Sequence, residues 1–235
     1  MEYRNNEFAV REETLSSYTA KTYFWMFIGL GITFGIGAYL AFSGLFMAIL
    51  ETNPFIWLGV IIAELVVVFA LSALLKKMST GVAYFMFILY AVLNGVTFAS
   101  VFLTYDVTYA LLIFGVTAVT FGIMAAWGYF TKQDLSGWGK VLLFGLFGLL
   151  IMGVLGLFLD LSAVEFLISL AGVAIFLGYT AYDTQKIKAY YYMTSGDQAM
   201  RSKASIISAL QLYLDFVNLF LYLLRLLNGG SRRND

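Results

Sequence analysis

The chain has 235 residues, of which 61% are hydrophobic and only 12% charged, and its formal net charge is zero. So little polar surface excludes a soluble domain of this size, and the balanced charge offers no basic patch for a nucleic acid or other polyanion. Cysteine and histidine are both absent, which excludes thiolate catalysis, cysteine metal centres and disulfides, and removes the side chain that usually titrates near neutral pH.

Apolar runs of about 20 residues recur along the chain, each enough to cross a bilayer as a helix. Met1–Lys21 is a mixed-charge tail unlike a secretory leader, so the apolar run after it is expected to be retained. Thr14, Ser16 and Ser17 offer caps for the first helix. The first span is predicted over Thr22–Phe42, where Gly31-xxx-Gly35 suits close helix packing. The second is Phe55–Leu75, containing Glu64. The third is Val82–Leu103, with Tyr90, Asn94 and Thr97 near one face. The fourth is Val107–Phe130, with Ala118, Gly122 and Ala126 four residues apart. Val141–Leu159, Ala163–Asp183 and Ala204–Leu227 follow. The single proline, Pro54, lies between spans, so no span carries a proline kink. The expectation is an all-α membrane protein: a cytoplasmic polar tail over 1–21, one seven-helix bundle over 22–227 and a short polar tail over 228–235.

Basic residues orient the bundle. Arg4, Arg11, Lys21, Lys76, Lys77, Lys132, Lys140, Lys186, Lys188, Arg201 and Lys203 all fall in the N-terminal tail or in alternate loops. The positive-inside rule then puts the N-terminus in the cytoplasm of a multi-pass protein of the plasma (inner) membrane. Arg225, Arg232 and Arg233 fit less simply. The length of the last helix favours a full crossing and its charges favour a return; a crossing is expected.

That last span differs from the others. On a helix, Ser208, Gln211, Asp215, Asn218, Tyr222 and Arg225 fall within an arc of about 100°. A carboxylate facing lipid at that depth is costly, about 2.5–3.5 kcal/mol on insertion scales. The last helix is therefore expected at the centre of the bundle, with other helices around it.

Asp183, near the cytoplasmic end of the sixth span, and Asp215 should lie at similar depth and are expected to meet. If they touch, two carboxylates in a poorly solvated site share one proton, and losing it drives the helices apart or draws in a cation. The plainer alternative is that Asp183 ends its helix beside Lys186 and reaches water. Glu64 could line a pathway or bind a Tyr or Asn of another helix. Asn94 reads as interhelical glue, with Gln211 and Asn218 as further polar positions along a path. Tyr190–Tyr192 reads as an interfacial aromatic belt.

Tyr182-Asp183-Thr184-Gln185-Lys186-Ile187, Leu212-Tyr213-Leu214-Asp215-Phe216-Val217-Asn218-Leu219-Phe220, and the loop Thr131-Lys132-Gln133-Asp134-Leu135-Ser136 with Gly139 together resemble the Bax inhibitor-1 family, and in particular a bacterial member. With Glu64, the resemblance covers nearly the whole chain. It implies six helices in two layers around a central seventh. It also implies a pH-sensitive calcium leak, with Asp183 and Asp215 as sensor and gate and as weak, transient calcium ligands, and with Glu64 in the pore. Some members carry an arginine at the end of the second span that pairs with the sensor; here Lys76 and Lys77 stand in that region, and lysine lacks arginine's bidentate fork.

The expected function is therefore a non-enzymatic cation leak with no cofactor, calcium being cargo. Calcium prefers six to eight oxygens, and a few carboxylates with carbonyls and water would bind it weakly enough for passage. One alternative is a non-catalytic modulator of a membrane-bound AAA protease, held through Met1–Lys21. Another is an intramembrane aspartyl protease, since two membrane aspartates could act as acid and base. However, the context Leu212-Tyr213-Leu214-Asp215 lacks the Gly-x-Gly-Asp pattern of such enzymes, and no Pro-Ala-Leu motif occurs.

Overall fold

A computed structural model of the chain describes residues 13–53 and 55–231. Residues 1–12, Pro54 and residues 232–235 lie outside the described residues. Most of the predicted N-terminal tail and half of the C-terminal one, with Arg4, Arg11, Arg232 and Arg233, therefore lie outside them too.

The described chain is helical. It runs as α1 (Leu15–Phe42), α2 (Leu45–Thr52), α3 (Phe55–Leu74), α4 (Thr80–Thr104), α5 (Val107–Phe130), α6 (Trp138–Leu155), a 3₁₀ turn (Ser162–Val164), α7 (Glu165–Met193) and α8 (Gln198–Ser231). All but α2 and the 3₁₀ turn are long and apolar enough to cross a bilayer. The predicted spans are all present, but α1, α7 and α8 extend further at the basic side of the bundle than hydropathy alone indicates. α1 begins seven residues before Thr22. The Thr14 hydroxyl caps it by accepting from the Ser17 N–H at 3.2 Å. The turns before Thr22 are polar yet not free: Tyr18 and Thr22 are buried, and Thr22 Oγ1 shares a 3.0 Å hydrogen bond with Ser205 Oγ of α8. Likewise α7 continues ten residues beyond Asp183 and α8 starts six before Ala204. The two are joined by a turn in which Gly196 takes φ 83°, a conformation glycine enters without a Cβ clash. The short helix α2, not anticipated, starts after Gly44 at φ 74° and buries Phe46 edge-on against Trp57, ring centroids 5.4 Å apart.

The helices form two three-helix layers. α4 packs on both α1 and α3; α7 packs on both α5 and α6; α8 lies between and touches α1, α4, α5 and α7. The third helix of each sequential triplet is thus the middle of its layer. Because each triplet has an odd number of spans, the second runs through the membrane inverted relative to the first. Of the most apolar stretch of α8, 67% is buried, against 11% in α3 and in α6, so the central position expected for the last helix is the one observed. α8 is unbroken from Gln198 to Ser231, which leaves no room for a re-entrant turn among the described residues.

Lipid tails are as apolar as leucine, so close contact between helices must supply most of the packing energy. Glycine makes that contact possible at α5–α7, where a Cβ on Gly128 would collide with the Ala181 backbone. It does so again at α1–α4, where a Cβ on Gly37 would sit 2.9 Å from the Phe98 Cβ. The predicted pair Gly31 and Gly35 does not do this; nothing lies within 4 Å of a Cβ at either position, and both face outward. Ala118, Gly122 and Ala126 are exposed as well. Four-residue spacing marks a smooth stripe on a helix, but the stripe that meets a neighbour depends on how the helices are rotated. At mid-bundle an aromatic cluster joins the layers: the Phe34 ring lies 5.0 Å from Phe98, 4.7 Å from Phe114 and 5.4 Å from Phe220.

Candidate functional site

The site is built where α7 packs along α8. Asp183 and Asp215 are 6% and 4% exposed. Asp183 does not end its helix; ten further helical residues follow it. Lys186, one turn on, donates from Nζ to Asp183 Oδ1 at 3.0 Å. The same ammonium lies 5.0 Å from the Tyr182 ring centroid and 5.7 Å from that of Tyr190, near enough for cation–π attraction. So the cation-side partner of Asp183 is in place, as the plainer alternative had it; the carboxylate is buried, and the lysine keeps only partial access to water.

Among the described residues no hydrogen bond joins Asp183 to Asp215. Among the described residues no hydrogen bond reaches the Asp215 carboxylate, and its Oδ2 is buried without a partner. Asp215 nevertheless lies within electrostatic range of both Asp183 and Lys186. The third side of the site comes from α1, whose Tyr23 hydroxyl shares a 2.9 Å hydrogen bond with Thr184 Oγ1. Two acids and one lysine therefore share a nearly dry space with one negative charge in excess when all are ionised. An unbalanced buried charge is costly, and a proton or a cation entering the space offsets it. Among the described residues no three acidic side chains cluster as a metal site would need. A calcium ion here would meet two carboxylates and would have to complete its shell from hydroxyls, carbonyls and water.

The loop after α5 belongs to the same unit. Gln185, two residues past Asp183, accepts from the Leu135 N–H and donates to the Gln133 carbonyl, both at 2.8 Å. Leu135 is fully buried as a result. The Ser136 N–H bonds Asp134 Oδ1 at 2.9 Å, and this hydrogen bonding holds the exposed Asp134 carboxyl below its ordinary range. Gly139 lies under the Tyr182 ring, whose hydroxyl would be 2.6 Å from a Cβ there. The loop segment thus contacts the Tyr182–Ile187 segment, whose helix in turn packs along α8.

The other predicted positions do not converge on this pair. Glu64 of α3 is half-buried and accepts from the Thr97 hydroxyl of α4, so its partner is a threonine and not the expected Tyr or Asn. Asn94 bonds Tyr90 of its own helix at 3.4 Å, which makes it intrahelical and not glue between helices; its Oδ1 has no partner among the described residues. Asn218 donates to the Leu214 carbonyl of its own helix at 2.8 Å. Gln211 is half-buried on α8. Lys76 and Lys77 are exposed, and neither is paired with an acid among the described residues.

Sequence reasoning undervalued Lys186, whose signal was its position three residues after an acid inside an apolar helix. It also passed over Tyr213. That side chain is fully buried, and its hydroxyl shares a 2.7 Å bond with Thr33 Oγ1, which in turn donates to the Ala91 carbonyl at 2.9 Å. Tyr191 is more than part of an interfacial belt: it donates to the Glu13 carbonyl at 2.7 Å, and the Arg201 guanidinium lies 4.8 Å from its ring centroid.

Comparison with known proteins places these features in company. Residues 15–233 match the family model described as "Inhibitor of apoptosis-promoting Bax1". The chain is 42% identical over 220 residues to the "Inner membrane protein YbhL" of Escherichia coli strain K12, covering 93% of each chain. It is 39% identical over 220 residues to an uncharacterized protein of Borreliella burgdorferi, covering 94% of each. It is 34% identical over 227 residues to an uncharacterized membrane protein of Streptococcus pyogenes serotype M3, again covering 94% of each.

Proposed function

Since this chain belongs to the Bax inhibitor-1 family of membrane proteins, we propose that it is a pH-sensitive cation leak that passes calcium and is gated by Asp183 and Asp215. One observation carries the reading: two buried carboxylates on adjacent helices, with a single lysine bonded to one of them and no hydrogen bond to the other. With both acids ionised, the excess charge draws a cation between α7 and α8 and the carboxylates repel each other. Protonation removes both effects and lets the helices close. The gate is therefore the α7–α8 contact, and Lys186 sets how much charge must be neutralised. Glu64, in the layer opposite α7 and hydrogen-bonded there to Thr97, is a third acid along the path.

An aspartyl protease dyad needs two carboxyl groups close enough to share one proton; the ion pair of Asp183 with Lys186 favours the leak. Orientation follows the basic residues, with the N-terminus cytoplasmic and the protein in the inner membrane, as the name of the Escherichia coli relative has it for that protein.

The test is calcium flux from liposomes holding the purified protein, measured from acidic to mildly alkaline pH. Flux should vary with pH, and Asp215→Asn should flatten that dependence. Protein that passes no calcium at any pH ends the proposal.

A further inference from the structure

A groove of about 510 Å³ runs between α1 and α5, with Phe216 of α8 as its floor. The walls are Ala20, Tyr23 and Phe27 on one side and Gly122 and Ala126 on the other. At one end stand the hydroxyl-bearing Ser16, Thr19 and Tyr129, and Thr19 Oγ1 is buried without a partner among the described residues. This end lies at the basic side of the bundle, where α1 begins and α5 ends. At the other end α1 and α5 come together: Phe34 and Phe114 are 4.7 Å apart, and Phe114 and Phe216 5.2 Å.

Length identifies the occupant. From Ser16 to Phe27 is eleven residues of helix, about 16 Å. One leaflet of hydrocarbon is about half of 30 Å. The groove therefore spans one leaflet and stops at the aromatic closure. A partner's transmembrane helix, about 10 Å across, would be blocked at the midplane by Phe34 and Phe114. A lipid chain would end there.

We propose that this groove binds one acyl chain of a glycerophospholipid from the leaflet on the basic side, with the ester region beside Thr19 and Tyr129. The chain would pass over Tyr23, which bonds Thr184 next to Asp183, and would end on Phe216, next to Asp215. Lipid in the groove would then bias the α7–α8 contact; that consequence rests on the leak reading, whereas binding does not.

The test reads binding alone. The full chain is reconstituted with phosphatidylglycerol and phosphatidylethanolamine, re-extracted in mild detergent and weighed by native mass spectrometry. One phospholipid per chain should remain. Gly122→Phe and Ala126→Phe should each remove it. Gly122 has open space where its Cβ would be, so a ring can enter without displacing backbone. Gly59→Phe, on the exposed face of α3 and equally unobstructed, should retain it. Variants are compared only where helix content and elution match the parent; if one groove variant fails to fold, the other decides. Retention of lipid by folded groove variants overturns the proposal. So does a parent that keeps no lipid, or keeps only free fatty acid. Because the chain has no cysteine, Gly122→Cys offers a clean further arm: rapid disulfide formation between two copies in vesicles assigns the groove to a second chain and also overturns it.

Discussion

Replacing Lys186 by methionine keeps the stem of the side chain and removes its charge. The ammonium lies 3.0 Å from Asp183 Oδ1, and the two side chains are 26% and 7% exposed. Breaking a buried pair by deleting one partner costs about 3–5 kcal/mol, because the remaining charge is stranded. With a quarter of the lysine exposed, the low end applies, about 3 kcal/mol. For a chain of this size each kcal/mol moves the melting temperature by about 2–4 °C, so Lys186→Met should melt roughly 6–12 °C below the parent at neutral pH. Asp183→Asn on top of it removes the stranded charge and should recover most of the loss, giving a large coupling in the double-mutant cycle. The deficit of the single variant should also shrink in acid, since a neutral carboxyl needs no counter-ion. The assay is thermal unfolding of detergent-solubilised protein followed by circular dichroism. A Lys186→Met protein that melts with the parent, or one that Asp183→Asn does not rescue, refutes the idea that this pair holds the site together.

Other outcomes test the packing and the loop. Gly128→Ala should be strongly destabilising, by more than the about 1–3 kcal/mol usual for overpacking, since the collision is with the Ala181 backbone; Gly31→Ala, facing open space, should be neutral or stabilising by up to about 1 kcal/mol, and equal melting of the two variants contradicts the assigned contacts. Gln185→Ala removes two bonds that pin the loop and should cost about 1–3 kcal/mol, read as faster amide exchange over residues 131–137 with little change elsewhere. The Asp134 carboxyl is held below its ordinary value by Ser136, so its support of the loop is present above the unfolded carboxyl's value and is lost as pH falls through the folded one. Amide exchange at Ser136 should accelerate across that acidic window, and Asp134→Ala should abolish the pH dependence.

Glu64 shows how far the pattern of residues could reach. Its depth in an apolar run was enough to mark it as functional or bonded, because an acid there cannot be idle. That its partner would be Thr97, and not Tyr90 or Asn94 on the same stretch, depended on the rotation of α4, to which hydropathy is blind. The loop motif at Gln133–Ser136 likewise looked like a signature without a reason. Its reason is Gln185, fifty residues on, whose amide satisfies the loop backbone.

Composition and periodicity alone determined the class of this protein: seven apolar helices, and a last helix whose polar stripe can survive only at the centre. Those conclusions concern transfer from water to lipid, which each residue pays or gains largely by itself. Tertiary structure decided everything that depends on which residues face each other. It put Lys186 and not Lys76 or Lys77 beside Asp183, left Asp215 without a hydrogen bond, turned Gly128 inward and Gly31 outward, and opened a groove along the stripe of Ala118, Gly122 and Ala126. Pair energies fall off within a few ångströms, so they are set by helix rotation and register, and no single segment of the chain specifies either.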